Sequence, residues 1–255
     1  MQHVLSIKMV FEPPLWSVYT MRDKKVVILT GAGISAESGV KTFRDNDGLW
    51  ENHRIEDVAT PEAWRSDPQL VWKFYQARRR QLNEVEPNPA HETLARFESE
   101  IEDFTLITQN VDDLHERGGS NSVIHMHGRL QTLRCETSKQ IEDRMSDSDL
   151  IDDFVYCNCC AEPSRMRPDI VWFGEMPMQM EEIYSAVEAC DAFIVIGSSG
   201  HVYPAAGMVT VARSIGAHTI LVNYEMPANG DDFDEVHLGK AGEILPGLVE
   251  KWLAK

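Results

Sequence analysis

Two histidines that could act as a general base lie two residues apart, at His125 and His127. An imidazole titrates near neutral pH, so either ring could take a proton from a substrate hydroxyl group. On a strand the two side chains would share one face, and Gly128 indicates that the strand ends just after them. A histidine satisfied within the core is the more common outcome for a single example, so both interpretations stay open.

A polar run follows an apolar stretch and could face the same site: Thr108, Gln109, Asn110, Val111 and Asp112. In an open α/β sheet the ligand lies beyond the carboxyl ends of the strands, where these side chains would be. The alternative is a simple turn that Asn110 or Asp112 caps.

A glycine-rich turn follows the first apolar stretch: Gly31, Ala32, Gly33, Ile34, Ser35 and Ala36. Such glycines let a pyrophosphate approach the backbone at the N-terminus of the next helix. The spacing also matches the dehydrogenase fingerprint, which needs a second strand ending in an acidic residue about 20 positions on. Glu51 is at that distance, but residues 44–50 before it are typical of a loop. The turn therefore predicts a dinucleotide and disfavours hydride transfer.

Four of the five cysteines fall between 135 and 160. Cys157 and Cys160 form a C-x-x-C pair, whose thiolates suit a tetrahedral zinc ion. A zinc ribbon needs a second pair, but Cys135 is followed by Ser138 where the fourth thiol would be. Either Cys159 or another group completes the shell, or the cluster holds no metal. Any zinc here would be structural, because nothing near it in sequence resembles an open histidine-containing site.

Tyr75 and Arg78 lie three residues apart on a predicted helix, and therefore on one face of it. A guanidinium group can bind a carboxylate through two hydrogen bonds, and a phenol hydroxyl can add another. The competing interpretation is a solvated basic face, since Arg78 opens a run of three arginines.

Strands and helices that alternate along the chain must position these groups. Short apolar runs predict buried parallel strands at 26–29, 104–108, 193–196 and 219–222. Asp67–Pro68 and Asn88–Pro89 are typical of an N-cap and a first helical residue, and 181–189 and 205–215 also look helical. The pattern predicts an α/β fold with a doubly wound, Rossmann-like parallel sheet.

The chain is expected to divide into an N-terminal extension, residues 1–20, and one catalytic domain, residues 21–255. The large lobe would comprise about 21–43, 95–130 and 168–255. Residues 44–94, where no strand is predicted, and 131–167 would form a smaller inserted zinc-ribbon and helical lobe. A cleft between the lobes is where a ligand is expected.

Charge and hydropathy exclude several classes of protein. The chain has 24 basic and 41 acidic residues, a net charge of −17, which disfavours nucleic acid as a partner. The acidity suits a basic protein partner, or simply keeps the protein in solution. No apolar run approaches the about 18 residues of a membrane span, and the first twenty residues lack the layout of a signal peptide. We therefore expect a cytoplasmic protein without a membrane partner, and the sequence is compatible with a monomer.

Together these motifs resemble those of the sirtuin family, the NAD-dependent protein deacylases. The resemblance runs from about residue 26 to about 248. Besides the motifs above, it is carried by Thr42, Phe43, Arg44, Val171, Trp172, Phe173, Gly174, Glu175, Gly197, Ser198 and Ser199. Tyr75, Arg78 and the segment 201–207 are similar to the bacterial class III type.

The resemblance implies that NAD is a co-substrate and gives each matching position a role. Gly31 to Trp50 would wrap the pyrophosphate and the nicotinamide, with Phe43 and Arg44 over the reacting ribose. Gln109, Asn110 and Asp112 would hold the nicotinamide ribose and carboxamide, and His127 would be the general base. The adenosine side would be held by Gly197, Ser198, Ser199, Asn223, Tyr224, Glu225 and Ala241. Val171 to Glu175 would pair with the substrate backbone as an added strand.

The implied reaction removes an acyl group from a lysine of a protein substrate and consumes NAD, giving nicotinamide and O-acyl-ADP-ribose. Tyr75 and Arg78 would line the acyl pocket and favour succinyl and malonyl groups beside acetyl. A mono-ADP-ribosyltransferase with the same NAD site is one competing prediction. A non-catalytic NAD-sensing or zinc-ribbon module is another, which His127, Asn110 and Asp112 argue against because a sensor needs no base beside the ribose.

Overall fold

The computed structural model describes residues 20–40, 49–50 and 53–254. Thr42, Phe43, Arg44 and nearly all of the expected N-terminal extension lie outside these ranges, as does the side chain of Trp50. The strands are β1 (Lys25–Thr30), β2 (Leu49–Trp50), β3 (His53–Arg54), β4 (Asp103–Thr108), β5 (Val123–His125), β6 (Gly128–Cys135), β7 (Ile141–Asp143), β8 (Met166–Ile170), β9 (Ala192–Ile196), β10 (His218–Asn223) and β11 (Glu235–Leu238). The α-helices are α1 (Ile55–Val58), α2 (Pro61–Ser66), α3 (Pro68–Gln81), α4 (Pro89–Glu100), α5 (Leu114–Arg117), α6 (Met180–Val187), α7 (Met208–Ser214) and α8 (Ala241–Leu253).

A six-stranded parallel sheet forms the larger part of the fold, in the order β11-β10-β9-β1-β4-β5. The four strands predicted from apolar runs are its centre, which confirms the α/β class. Strand β11 left no such signal, because its sequence is half polar and it pairs along one edge only. The chain leaves β1 towards β4 on one side and returns to β9 on the other, and ligands of open α/β sheets bind at such a reversal.

The continuous apolar sequence of β1 is explained by burial on both of its faces. Val26 and Ile28 pack into a core with α4 and α8, whereas Val27 and Leu29 pack into a second core with α6 and α7. A strand covered by helices on both sides cannot alternate apolar and polar residues.

Two of the predicted helix starts are confirmed in detail. The Asp67 side chain accepts the Leu70 N–H at 3.0 Å, so α3 begins at Pro68. The Asn88 side chain accepts the Ala90 N–H at 2.9 Å, while the His91 ring accepts the Asn88 N–H at 3.2 Å. Both caps use oxygen side chains to satisfy N–H groups that the first turn leaves unpaired.

The second, smaller part contains a three-stranded antiparallel sheet, β7-β6-β8, and helices α1 to α3 around a third core. The prediction that residues 44–94 contain no strand is wrong, since β2 and β3 pair there. Two residues per strand are too few to leave a period in the sequence. The small sheet begins at Gly128 and ends at Ile170, three residues beyond each limit of the expected range 131–167. Helix α4 packs on the parallel sheet. Within the described ranges, no helix has the length and apolar character needed to cross a bilayer.

Candidate NAD and acyl-lysine site

A cleft of about 1020 Å³ lies at the carboxyl ends of β1, β4 and β9, where the two parts of the fold meet. Most of the predicted site residues line it: Gly31, Ala32, Gly33, Ser35, Tyr75, Arg78, Gln109, Asn110, Asp112, His127, Val171, Trp172, Phe173, Gly174, Glu175, Gly197, Ser198, Ser199, Asn223, Tyr224, Glu225 and Ala241. Ile34 is the exception among the described NAD and substrate candidates, because its side chain packs in the core of the parallel sheet.

Glycines form the floor of this cleft because two backbone segments touch there. A Cβ on Gly33 would lie 2.8 Å from Gly197 Cα, and a Cβ on Gly31 would lie 2.8 Å from the Gly197 carbonyl oxygen. Gly197 itself has φ +64, which favours glycine, and a Cβ there would lie 2.5 Å from the Ile34 nitrogen. Two short 3₁₀ turns follow, Ala32–Ile34 and Ala36–Ser38, in place of the helix whose N-terminus such a glycine turn would form.

Three polar side chains form a buried chain of hydrogen bonds behind the floor. Asn110 Nδ2 donates to Ser35 Oγ at 3.0 Å, and that hydroxyl donates to Asp112 Oδ2 at 3.0 Å. The Leu114 N–H donates to the other carboxylate oxygen at 3.2 Å. Burial raises the pKa of Asp112 from 3.8 to about 6, although these hydrogen bonds act in the opposite direction. Asp112 is therefore largely ionised at pH 7 in a site that disfavours its charge.

This raised pKa predicts that Asp112→Asn stabilises the protein while it harms the site. The native state binds a proton at Asp112 more tightly than the unfolded chain does, so the contribution to stability falls as pH rises from about 4 to about 6. Asparagine removes the buried charge and can keep both bonds if the Ser35 hydroxyl rotates. We expect the free energy of unfolding at pH 7.5 to rise by up to about 3 kcal/mol, and the gain to shrink towards pH 4. Urea unfolding of both proteins at several pH values measures it.

Asp113→Asn is the matched control, because that neighbouring carboxylate lies 3.7 Å from the Arg117 guanidinium and gains nothing from losing its charge. An equal gain in both variants, or one that does not depend on pH, would contradict a cost specific to Asp112.

The ring of His127 lines the cleft with a defined proton arrangement. Its Nδ1 lies 2.9 Å from the Gln109 carbonyl oxygen, which can only accept, so Nδ1 carries the hydrogen and Nε2 keeps its lone pair. Burial lowers the pKa of His127 from 6.5, with the Gln109 bond partly opposing it. The ring is therefore neutral at pH 7, as a general base must be.

His125 has a different environment, and the expectation that both histidines share one face of a strand is wrong. Strand β5 ends at His125, and His127 follows in a turn because β6 starts at Gly128 in another sheet. His125 is buried, with Nε2 2.8 Å from Glu116 Oε1 and Nδ1 3.3 Å from the Asn110 carbonyl oxygen. It belongs to the polar packing behind the cleft, which leaves His127 as the candidate base.

Tyr75 and Arg78 extend from one face of α3 into the cleft, as their spacing predicts. Arg78 is half-buried, with its guanidinium carbon 4.9 Å from the centre of the Phe74 ring. Burial raises the pKa of Tyr75, so its phenol stays neutral and can donate a hydrogen bond. The two residues that follow Arg78 have other roles: Arg79 is buried and donates to the Leu130 and Asp149 carbonyl oxygens, and Arg80 donates to that of Leu150.

The segment Val171 to Glu175 forms part of the cleft wall as a turn after β8. The Val171 and Phe173 N–H groups donate to the carbonyl oxygens of His127 and Ala59, at 2.9 and 3.0 Å. These bonds tie the segment to both parts of the fold. Its pairing with a substrate backbone stays a prediction.

The far end of the cleft is built by the loops after β9, β10 and β11. Gln109 Nε2 donates to Ser198 Oγ at 2.9 Å, and Asn223 Nδ2 donates to the Ser198 carbonyl oxygen at 3.0 Å. Sequence reasoning missed Val202, Tyr203 and Lys240, which also line the cleft. Lys240 could have been found from its position, because it directly precedes α8 and the predicted residue Ala241. Val202 and Tyr203 carry no chemical signal of their own.

The cysteine cluster lies apart from the cleft, and its geometry fits a zinc ion. The sulfur atoms of Cys135, Cys157, Cys159 and Cys160 all lie within 4.8 Å of one another. Two of the separations, Cys135 to Cys160 and Cys159 to Cys160, are 3.7 and 3.8 Å. A tetrahedron with zinc–sulfur bonds of about 2.3 Å has edges of about 3.8 Å. Of the alternatives that the sequence left open, Cys159 supplies the fourth thiol, and Ser138 Oγ contacts its sulfur at 3.0 Å.

Loss of a residue that only contacts a zinc ligand typically weakens metal affinity by about 10–100-fold. We therefore expect Cys159→Ser, which loses a ligand itself, to weaken zinc binding by more than that. Ser138→Ala, which removes the contact to Cys159 and the hydrogen bond accepted from the Gln140 N–H, should fall within that smaller range. Cys190→Ser is the control, because Cys190 packs in a core of the parallel sheet. Zinc content by elemental mass spectrometry and affinity by chelator competition measure the effect. Wild-type affinity in Cys159→Ser together with a large loss in Ser138→Ala would make Ser138 the ligand instead.

Comparisons with known proteins agree with this site. The family model described as "Sir2 family" matches residues 31–204. An NAD-dependent protein deacylase of Vibrio vulnificus (strain YJ016) is 55% identical over 234 residues, which cover 91% of this chain and 94% of that protein. The protein of the same name from Escherichia coli (strain K12) is 53% identical over 236 residues, 91% and 84% of the two chains. A crystal structure of a Sir2 homologue in complex with NAD has a TM-score of 0.82 at 39% identity and covers 91% of each chain. The chain therefore belongs to the Sir2 family, the sirtuins.

Proposed function

We propose that this protein is an NAD-dependent protein-lysine deacylase that transfers the acyl group to ADP-ribose and releases nicotinamide. The observation that carries the proposal is that one cleft holds the glycine floor, the chain Asn110–Ser35–Asp112, and a neutral His127 whose Nε2 keeps its lone pair. The name shared by the Vibrio vulnificus and Escherichia coli relatives supports it.

The residues present fit NAD. A cleft of about 1020 Å³ is large enough for a dinucleotide together with a modified lysine side chain. Its floor has no side chains at Gly31 and Gly33, so a pyrophosphate can approach the backbone, and Lys240 lines the adenosine end. When bound, NAD supplies an activated ribose carbon whose bond to nicotinamide can break.

In this proposal the chain's own groups bind, orient and move protons. Gln109, Asn110 and Asp112 hold the nicotinamide ribose and carboxamide, and His127 Nε2 takes a proton from a ribose hydroxyl. The adenosine side is held by Gly197, Ser198, Ser199, Asn223, Tyr224, Glu225 and Ala241. Phe43 and Arg44 keep the role over the reacting ribose that the family resemblance implies, and Trp50 belongs to the stretch that wraps the pyrophosphate and the nicotinamide.

We further propose that the acyl pocket accepts succinyl and malonyl groups as well as acetyl. The Arg78 guanidinium provides a positive charge at a half-buried position in the cleft, and the Tyr75 hydroxyl lies one turn earlier on the same helix face. A carboxylate bound there would receive charge-assisted hydrogen bonds.

The protein substrates would carry an acylated lysine in a segment that runs along the turn Val171 to Glu175. The same proposal has three further parts. The chain divides into a large lobe and a small zinc-bearing lobe, its substrates do not include nucleic acid, and its location is cytoplasmic. An overall charge of −17 supports the preference for basic protein segments over nucleic acid.

Mass spectrometry of one lysine peptide, acetylated or succinylated, tests the proposal with and without NAD. We expect acyl loss only with NAD, matched by O-acyl-ADP-ribose and nicotinamide. Transfer of ADP-ribose to the peptide or protein without acyl loss would make the protein a mono-ADP-ribosyltransferase. NAD binding without nicotinamide release would make it a binding module.

A further inference from the structure

The ring of Phe74 lies against the guanidinium group of the predicted acyl-pocket residue Arg78. The two residues are four positions apart on α3, so they lie on neighbouring turns of one helix face. The guanidinium carbon is over the ring, 4.9 Å from its centre, which makes a cation–π contact. Phe74 is 3% exposed and packs in the core of the smaller part of the fold, whereas Arg78 is half-buried and lines the cleft. The contact therefore joins this core to the pocket.

Two other aromatic rings hold the ring of Phe74. The centre of the Tyr75 ring is 5.1 Å away at an interplanar angle of 90°, and that of the His53 ring on β3 is 5.4 Å away at 81°. Perpendicular rings at these distances attract each other, because a positive ring edge meets a negative ring face. A ring that is buried and held by two such contacts keeps one orientation towards Arg78.

A fixed ring at this position has two effects on how a guanidinium group binds a carboxylate. A flexible arginine side chain loses rotamer freedom when it binds an anion, and a contact that already holds it lowers that cost. The ring attracts the cation through its π-electrons, so this contact takes up none of the N–H donors. An acetyl group ends in a methyl group and gains nothing from a cation that is held in place. The contact should therefore matter for succinyl and malonyl groups and not for acetyl.

We infer that Phe74 is a positioning residue for acidic acyl groups, whose ring holds the Arg78 guanidinium group where it binds the acyl carboxylate. The inference rests on the proposed deacylase function and on its succinyl and malonyl preference. It assigns a specificity role to a side chain of the core, which acts on the substrate through Arg78.

Phe74→Leu and a series of fluorinated phenylalanines at position 74 test the inference. The measured quantity is the ratio of kcat/KM for a succinyl peptide to kcat/KM for an acetyl peptide of the same sequence, which cancels general losses of folding or NAD binding. We expect Phe74→Leu to lower this ratio by about three- to tenfold, the range for one cation–π contact and one ordered side chain. Fluorine withdraws negative charge from the ring face with little change in ring size, so one, two and three fluorine atoms should lower the ratio stepwise. A ring that only filled space would give the wild-type ratio throughout the fluorinated series.

Phe154 provides the matched control, because the Arg165 guanidinium carbon also lies 4.9 Å from the centre of its ring. Arg165 donates to Glu136, the residue after Cys135, and so belongs to the surroundings of the cysteine cluster. Phe154→Leu and the same fluorinated series at position 154 should leave the ratio at the wild-type value. A second measurement needs no substrate: the Arg78 Nε–H resonance in ¹⁵N–¹H spectra should shift in Phe74→Leu and stay in place in Phe154→Leu.

The Arg78→Met background shows whether Phe74 acts through Arg78. Phe74→Leu should not lower the ratio further in that background, because the cation that the ring holds is already absent.

The outcomes separate the inference from the function on which it rests. A wild-type ratio in Phe74→Leu, a ratio that does not respond to fluorination, an equal loss at position 154, or a further loss in the Arg78→Met background would overturn the inference and leave the deacylase intact. Removal of acetyl but not succinyl by the wild type would overturn both the acyl preference and this inference. Loss of neither group would overturn the proposed function as a whole.

Discussion

His127→Asn is expected to lower kcat/KM for acyl removal by about 10²–10⁴-fold, the usual contribution of a positioned general base. Asparagine can still donate to the Gln109 carbonyl oxygen as Nδ1 does now, so the local structure should persist. It cannot take up a proton at neutral pH, which removes only the proposed chemistry. Single-turnover kinetics with an acetyl peptide measure the loss.

The dependence on pH gives this prediction a second readout. Because burial lowers the pKa of His127 below 6.5, the base is deprotonated at pH 7, and activity should fall only as pH drops through that lowered value. The acidic limb of the kcat/KM profile should therefore have its midpoint below pH 6.5. Unchanged thermal unfolding and NAD affinity in His127→Asn control for misfolding. A loss of less than tenfold, with an unchanged acidic limb, would exclude His127 as the base.

Arg78→Met is expected to lower kcat/KM for succinyl and malonyl peptides by about 10²-fold or more. Removal of one partner of a buried charge pair costs about 2–5 kcal/mol, because the remaining carboxylate would be left in the cleft without a cation. An acetyl group places no charge there, so kcat/KM for the acetyl peptide should change by less than about threefold. Parallel assays on peptides of one sequence measure both.

Arg80→Met is the matched control on the same helix. Its guanidinium donates to the Leu150 carbonyl oxygen and to Asp152 Oδ1, both at 3.1 Å, on the loop of the small lobe that precedes the cysteine cluster. It should leave the ratio of succinyl to acetyl activity at the wild-type value. Equal losses on both substrates in Arg78→Met would show that Arg78 supports the fold instead of binding the acyl group.

Local sequence patterns were sufficient to predict the strands and helices that short stretches of sequence determine. The strand at 26–29 was predictable because both of its faces are buried. The helices that begin at Pro68 and Pro89 were predictable because a single residue directly before each proline caps the helix. Strand β11 was not, since its sequence is half polar, and the pair β2–β3 was not, since two residues per strand leave no period. The close approach of Gly31 and Gly33 to Gly197 also joins segments that are far apart in the sequence.

The candidate site shows the same division. Its motifs could be recognised by residue type, and the structure brings nearly all the described ones to one cleft. The roles of individual residues could not be predicted, because His125 and His127 differ only in their surroundings. His125 contacts the Glu116 carboxylate behind the cleft wall, whereas His127 lines the open cleft. Likewise, no spacing rule predicts the hydrogen bond from Trp172 to Tyr75, which lies 97 residues earlier.

The contact between the glycine turn and Gly197 has a consequence for the order of events during synthesis. Gly33 and Gly197 are separated by 197 − 33 = 164 positions, so the floor of the cleft cannot exist until β9 has left the ribosome and paired with β1. A nascent chain that ends before residue 190 contains β1, β4 and β5 but only half of that floor. NAD can therefore stabilise only the nearly finished protein, and the ligand selects chains whose two halves of the parallel sheet have already joined.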